Sequence, residues 1–195
     1  MAPGKYGDCE INGIFVDVFL GAFKLFPSVV YKKLVGYGIG TFQGKEVVVD
    51  RNAWYPLDKW LAAHEDIAAS VGPRASFQIG QEIPKILGVP PGVNDAHGAL
   101  ASLNIGYHMN HRRNGRVLFD AATGAILPGI GDLKYTPEGR GKGTMVSTDP
   151  YPCDLDRGLC QGLVLRFERA ARVVHETREP CRKDGGSACI YSISW

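Results

Sequence analysis

The spacing of apolar residues changes once along the chain, and that change constrains the fold more than any single motif. Up to about Arg112 the apolar residues recur at three-to-four spacing, whereas after Asn114-Gly115 short segments alternate between faces. Helices first and strands later predict an α+β fold, with amino-terminal helices packed on a mostly antiparallel sheet and a strand-helix-β-hairpin ending. No linker, repeat or low-complexity tract divides residues 1–195, so a single domain is expected.

In the helical part, Gly13–Tyr37 reads as one or two short helices broken near Pro27-Ser28, apolar enough to serve as core or as a partner surface. Glu46–Val49 is a strand candidate. From Pro56, residues Leu57, Trp60, Leu61, His64 and Ile67 define an amphipathic helix ending near Gly72-Pro73. Gly80 and Pro84 argue against one continuous helix over Ala75–Leu87. Asp95 sits where a cap would, before a helix running to about Arg112. His111-Arg112-Arg113 is expected as its solvated end.

In the second part, strands are expected over Arg116–Asp120, Asp132–Tyr135 and Thr144–Thr148. A helix from Asp154 follows, with Leu155, Leu159, Leu163 and Phe167 on one face. Ala171–Glu179 and Ala188–Trp195 then close as a hairpin through the turn Arg182–Gly186.

Several classes are disfavoured. A net charge of +2 with dispersed basic residues predicts no nucleic-acid binding, and no stretch reaches the length of a membrane span. Asp8 and Glu10 fall where a secretory signal needs apolar residues, so a cytoplasmic location is expected. There an odd set of five cysteines suits core thiols, metal ligands or nucleophiles better than disulfides.

Cys181 and Cys189 lie at the two ends of the hairpin turn, and Cys153 opens the preceding helix, where the helix dipole favours a thiolate. Three sulfurs there suit zinc, with His175 as the fourth ligand by strand parity and Glu179 or Glu176 as substitutes. The same cysteines also read as small buried hydrophobes. Cys160 belongs to the core, and Cys9 has no partner pattern.

Pro152–Gly158 followed by helix, strand and Cys181–Tyr191 resembles the end of 4-vinyl-reductase domains, hydrocarbon-binding modules of the haem nitric-oxide-binding and TRAPP-subunit fold group. The resemblance is local to Thr148–Trp195. It implies a structural zinc held by Cys153, Cys181, Cys189 and a carboxylate, but Arg178 stands at the carboxylate position, leaving His175, Glu176 or Glu179 to complete the site. It further implies a cavity for a small apolar or aromatic ligand, for which His108 and Tyr135 are candidate lining residues. Apart from the resemblance, the apolar Gly13–Tyr37 segment leads us to expect a homodimer contact, and a signal is expected to pass to a partner protein.

The function expected is therefore ligand sensing and not catalysis, since no nucleophile motif with its orienting group is present. Two alternatives stand beside it. One is a haem-based gas sensor using His108 or His111, although Tyr191–Trp195 does not reproduce the Tyr-x-Ser-x-Arg pattern of the nitric-oxide-binding relatives. The other is a TRAPP-like assembly subunit with Ile14–Tyr37 as its interface.

Overall fold

A computed structural model describes residues 4–24, 26–178 and 180–195. The chain opens with strand β1 (Cys9–Asn12), which turns directly into helix α1 (Gly13–Phe23). The Asn12 side chain caps α1 by accepting from the Ile14 N–H at 2.7 Å. Helix α2 (Pro27–Gly36) follows with proline in its first turn. Val16, Phe19, Leu20 and Phe23 of α1 and Val30, Tyr31 and Leu34 of α2 are buried. This apolar segment is therefore mostly core, which leaves little of it for an assembly interface.

The hairpin β2 (Thr41–Gln43) and β3 (Glu46–Val48) leads to β4 (Trp54–Pro56) and the long helix α3 (Leu57–Leu87). The expected break at Gly72 is a kink, where φ is 79° and the chain re-enters the helix at Pro73. Beyond it Ala75–Leu87 is helical, contrary to expectation. Gly80 acts there as a contact residue and not as a breaker, since any Cβ would collide with the Leu155 carbonyl oxygen. The carbonyl of Pro84 accepts from Arg166 Nη1 at 2.9 Å near the end of this helix.

Helix α4 (Ala96–Met109) is capped by Asp95, which accepts from the Gly98 N–H at 2.7 Å. The expectation of a helix to Arg112 fails. His111–Arg113 is strand β5, paired antiparallel with β1, and His111 is fully buried. What looked like a solvated basic end is a central strand. Arg112 and Arg113 pair with Glu10 and Asp8 across it. Short strands β6 (Arg116–Val117), β7 (Phe119–Asp120) and β8 (Ala125–Ile126) follow. The first sheet has the order β4-β1-β5-β6.

The second sheet, β11-β12-β10-β9, is antiparallel throughout. Its strands are β9 (Leu133–Gly139), β10 (Lys142–Ser147), β11 (Arg172–His175) and β12 (Cys189–Ser194). Helix α5 (Cys153–Val164) connects β10 to β11 and crosses α3 at close range. The expected order of strand, helix and hairpin is present, but the described residues 176–178 and 180–188 form a longer connection than the anticipated tight turn, with a 3-10 turn at Arg182–Asp184. Among the described residues, no helix is long and apolar enough to cross a membrane.

Candidate metal centre and ligand cavity

Cys153 occupies the first position of α5, His175 ends β11, Cys181 precedes the 3-10 turn and Cys189 begins β12. One ligand atom from each of the four lies within 4.8 Å of every other. Antiparallel pairing sets this up, because β12 continues from Cys189 to Tyr191, which is the partner of His175. The sulfur of Cys153 lies 3.1 Å from that of Cys189 and 3.8 Å from that of Cys181. Tetrahedral zinc with bonds of about 2.3 Å sets sulfurs about 3.8 Å apart, so little adjustment is needed.

The donor set fits a metal on a second count. The Nε2 of His175 is buried and has no hydrogen-bond partner, a costly vacancy that a metal bond would fill. Glu176 points elsewhere, accepting from Ser192 Oγ. Glu179 lies outside the described residues. Cys153 and Cys189 are close enough to share a proton, which pushes the Cys153 thiol up. Together with Arg182 it holds Cys189 down at about 4, against the effect of burial.

Arg182 links the cluster to a carboxylate pair. Its Nε donates to Cys189 Sγ at 3.3 Å, its Nη1 to Asp149 at 3.0 Å, and its Nη2 to Asp156. Ser147 Oγ bridges the two carboxyls at 2.6 and 3.1 Å. Burial pushes the carboxyl of Asp156 well up from its ordinary range, Asp149 adds to this, and Arg182 pulls it back only in part.

Asp149 and Asp156 also belong to the wall of a cavity of about 380 Å³. Phe15 and Phe19 of α1, Ile83 and Leu87 of α3, and Leu155, Leu159 and Leu163 of α5 supply apolar walls. Helix α4 contributes Leu103, Gly106, Tyr107 and Asn110, and the segment Gly88–Pro91 lies alongside. Gly106 stands mid-helix with nothing within 4 Å of where a Cβ would be. A second cavity of about 820 Å³, more polar than the first, includes Cys153 and Arg182 and shares Asp149 and Tyr151 with it.

The two residues expected to line a ligand cavity lie elsewhere. His108 is completely buried, donates from Nδ1 to the Asn104 carbonyl at 2.8 Å, and places Nε2 3.7 Å from Asp132. It thus faces the segment leading into β9. Tyr135 of β9 is bonded to His97 Nδ1 at 2.7 Å. Neither is among the cavity-lining residues. The wall residues that sequence reasoning missed as a set are phenylalanines of α1, leucines of α3, α4 and α5 and a glycine of α4, which carry no local signature.

His64, expected only as one member of a helix face, is buried among Phe19, Phe23, Trp60 and Tyr151 with ring-centroid distances of 4.4 to 5.6 Å. Its Nε2 has no hydrogen bond, and burial holds its pKa down at about 3. An unfolded histidine titrates near 6.5, so below that pH the unfolded chain takes up a proton that the fold refuses. This contribution is fully present above about pH 6.5 and is lost as pH falls toward 3, at about 1.4 kcal/mol per pH unit. Urea unfolding between pH 7 and 4 should therefore show a shallower loss of stability in His64→Leu than in the native chain. Parallel slopes would refute this account of His64.

No protein-family profile matches the sequence, and no curated protein does. Solved structures do. An H-NOX protein from S. oneidensis in the Fe(II)NO ligation state aligns at TM-score 0.64 and 15% identity, over 94% of this chain and 98% of its own. A structure probing haem distortion in the H-NOX family aligns at TM-score 0.65 and 16% identity, over 95% of each chain. At such identities the likeness establishes the fold. The fold found is thus the one that H-NOX domains have, and the finer likeness to 4-vinyl-reductase domains or TRAPP subunits gains no support.

Proposed function

We propose that this chain is a small-molecule sensing domain on the H-NOX fold. It would hold an apolar ligand in the 380 Å³ cavity and a structural zinc on Cys153, His175, Cys181 and Cys189, and report to a partner protein. The cavity wall carries this reading. It is largely apolar, its volume falls within the range of small-molecule sites, and Gly106 enlarges it at a helical position where glycine otherwise costs about 1 kcal/mol. Zinc with four protein ligands has no open position for substrate, so its role is to pin α5 to the loop before β12 and not to catalyse.

A second reading, a haem-based gas sensor, is favoured by the structural neighbours, whose names refer to haem and to Fe(II)NO. The residues on the cavity wall do not fit that group. Among the described residues, no histidine, cysteine or methionine lines the cavity to ligate iron, its two tyrosines have their hydroxyls bonded to the Ile130 carbonyl and to His111, and no lysine or arginine lines it to meet propionates. The buried, unbonded Nε2 of His108 faces Asp132. Tyr135-Thr136-Pro137-Glu138-Gly139 on β9 begins with tyrosine, as the haem-propionate pattern does, but has neither its serine nor its arginine.

Titration of the purified protein with haemin and, separately, with naphthalene distinguishes the two. Saturable naphthalene binding without a stoichiometric Soret band supports the apolar-ligand reading, whereas a Soret band at one haem per chain establishes the haem reading. Gly106→Leu, which fills the open space on α4, is expected to weaken naphthalene binding at least tenfold while leaving the protein as stable or more so. Unchanged affinity in that variant would place the ligand elsewhere.

A further inference from the structure

The apolar cavity meets the surface along one stretch of chain. Among the described residues of its wall, only Leu87, Pro90 and Pro91 are exposed, and all three lie where the chain leaves α3. The other wall residues are buried or half-buried. Val89, which sits between the exposed ones, is half-buried and packs against the core. Leu87–Pro91 therefore has the cavity on one side and solvent on the other.

Little fastens this stretch in place. The Gly88 N–H donates back to the Pro84 carbonyl at 3.1 Å, and the Val93 N–H donates to the Pro90 carbonyl at 3.1 Å, so both bonds are local. Pro90 and Pro91 have no N–H to give. Among the described residues, no hydrogen bond joins Gly88–Gly92 to α1, α4 or α5. The Ser102 hydroxyl and the Asn110 amide, on the α4 part of the wall, donate back to their own helix, to Ala99 and Gly106. What holds the stretch down is apolar contact, and segments with so few main-chain bonds to their surroundings open at low cost. Each end carries a pivot. Gly88 has φ 76° and ψ −158°, a conformation essentially confined to glycine, and Gly92 has φ 85°. Between them the two prolines fix their own φ and hold Val89 extended, so the segment moves as a stiff piece about the glycines.

Resting on the ligand cavity proposed above, we infer that Gly88–Gly92 is its gate, a strap that swings outward on Gly88 and Gly92 to admit or release an apolar ligand and closes over it between times. Opening of the strap sets how fast ligand exchanges, whereas the walls on α1, α3, α4 and α5 set how tightly it is held. Hinges of this kind are a few loop positions that absorb the change in φ and ψ.

The test is stopped-flow fluorescence with naphthalene on the full chain and on Gly92→Ala. Gly92 is not a wall residue, and a Cβ there meets no atom within 4 Å, so the substitution adds backbone strain without a collision. That strain burdens the closed strap, empty or occupied, and is relieved as the hinge turns. Association and dissociation are therefore expected to quicken together, roughly fivefold or more, with affinity kept within about twofold. Gly88→Ala, where a Cβ is equally free of neighbours, is expected to quicken both rates from the other hinge, and it replaces Gly92→Ala should that variant not fold. Gly124→Ala places similar strain, at φ 72°, in the turn between β7 and β8, away from the cavity wall, and is expected to leave both rates unchanged. Unchanged rates in the hinge variants, or equal quickening in Gly124→Ala, would overturn the gate. So would faster dissociation alone with a matching loss of affinity in Gly92→Ala, which would make the strap a ligand contact. Failure of the native chain to bind naphthalene at all would instead remove the cavity reading on which the gate rests.

Discussion

Cys189→Ser is expected to abolish stoichiometric zinc binding and to lower stability by on the order of 5 kcal/mol, about 10–20 °C in melting midpoint for a domain of this size. The loop it anchors has few other attachments. Between β11 and β12, among the described residues, the backbone bonds that hold residues 176–178 and 180–188 are Glu176 to Ile190 and three local ones around the 3-10 turn. Everything else runs through side chains, chiefly Arg182 and the cysteines. A chelator added to the native protein should reproduce the loss, and added to the variant should do nothing. Were these cysteines only core thiols, the substitution would cost about 1–2 kcal/mol, the chelator would have no effect, and purified protein would contain no metal. Metal analysis beside paired melting curves checks all three.

That cluster was legible in the sequence because each of its members is fixed by local geometry. Cys153 opens a helix whose start is marked by Pro152, and Cys189 and His175 lie on strands whose alternation is plain. Pairing those two strands brings the residues together without knowledge of the rest of the fold. His111-Arg112-Arg113 shows the opposite case. Its composition suits a solvated helix end, and it becomes a central strand only because β1, a hundred residues earlier, supplies both a ladder and the carboxylates Glu10 and Asp8. The cavity was illegible for a similar reason. Its walls come mainly from α1, α3, α4 and α5, and apart from a few polar groups such as Asp156 their residues are of the types found in any core. His108 attracted attention as a chemically versatile side chain on the right helix, but helical phase turns it toward Asp132 while Leu103, Gly106 and Tyr107 face the cavity.

Gly80 illustrates how a local rule was overridden, and it leads to the second large effect. Read locally, glycine in Ala75–Leu87 weakens a helix, yet Gly80 lies where α3 and α5 meet backbone to backbone. A Cβ on Gly158 would run into the Phe77 carbonyl oxygen, and one on Gly162 would meet that of Gln81 at 2.5 Å. The obstructing atoms are main-chain carbonyls inside helices, which cannot turn aside as a side chain can. Gly158→Ala must therefore push the two helices apart along their whole contact, and is expected to cost roughly 4 kcal/mol, a value reserved for such overpacking. Gly106→Ala provides the control, since the same chemical change on α4 meets no atom within 4 Å and should stabilise by up to about 1 kcal/mol. Because α5 carries Cys153 at its start and Asp156 one turn later, displacing it disturbs both proposed sites at once. Urea titration of the two variants beside the native chain, with zinc content measured on each, is expected to show loss of stability and weakened zinc retention in Gly158→Ala and neither in Gly106→Ala. Equal stability in the two variants would mean that α3 and α5 do not cross through these glycines.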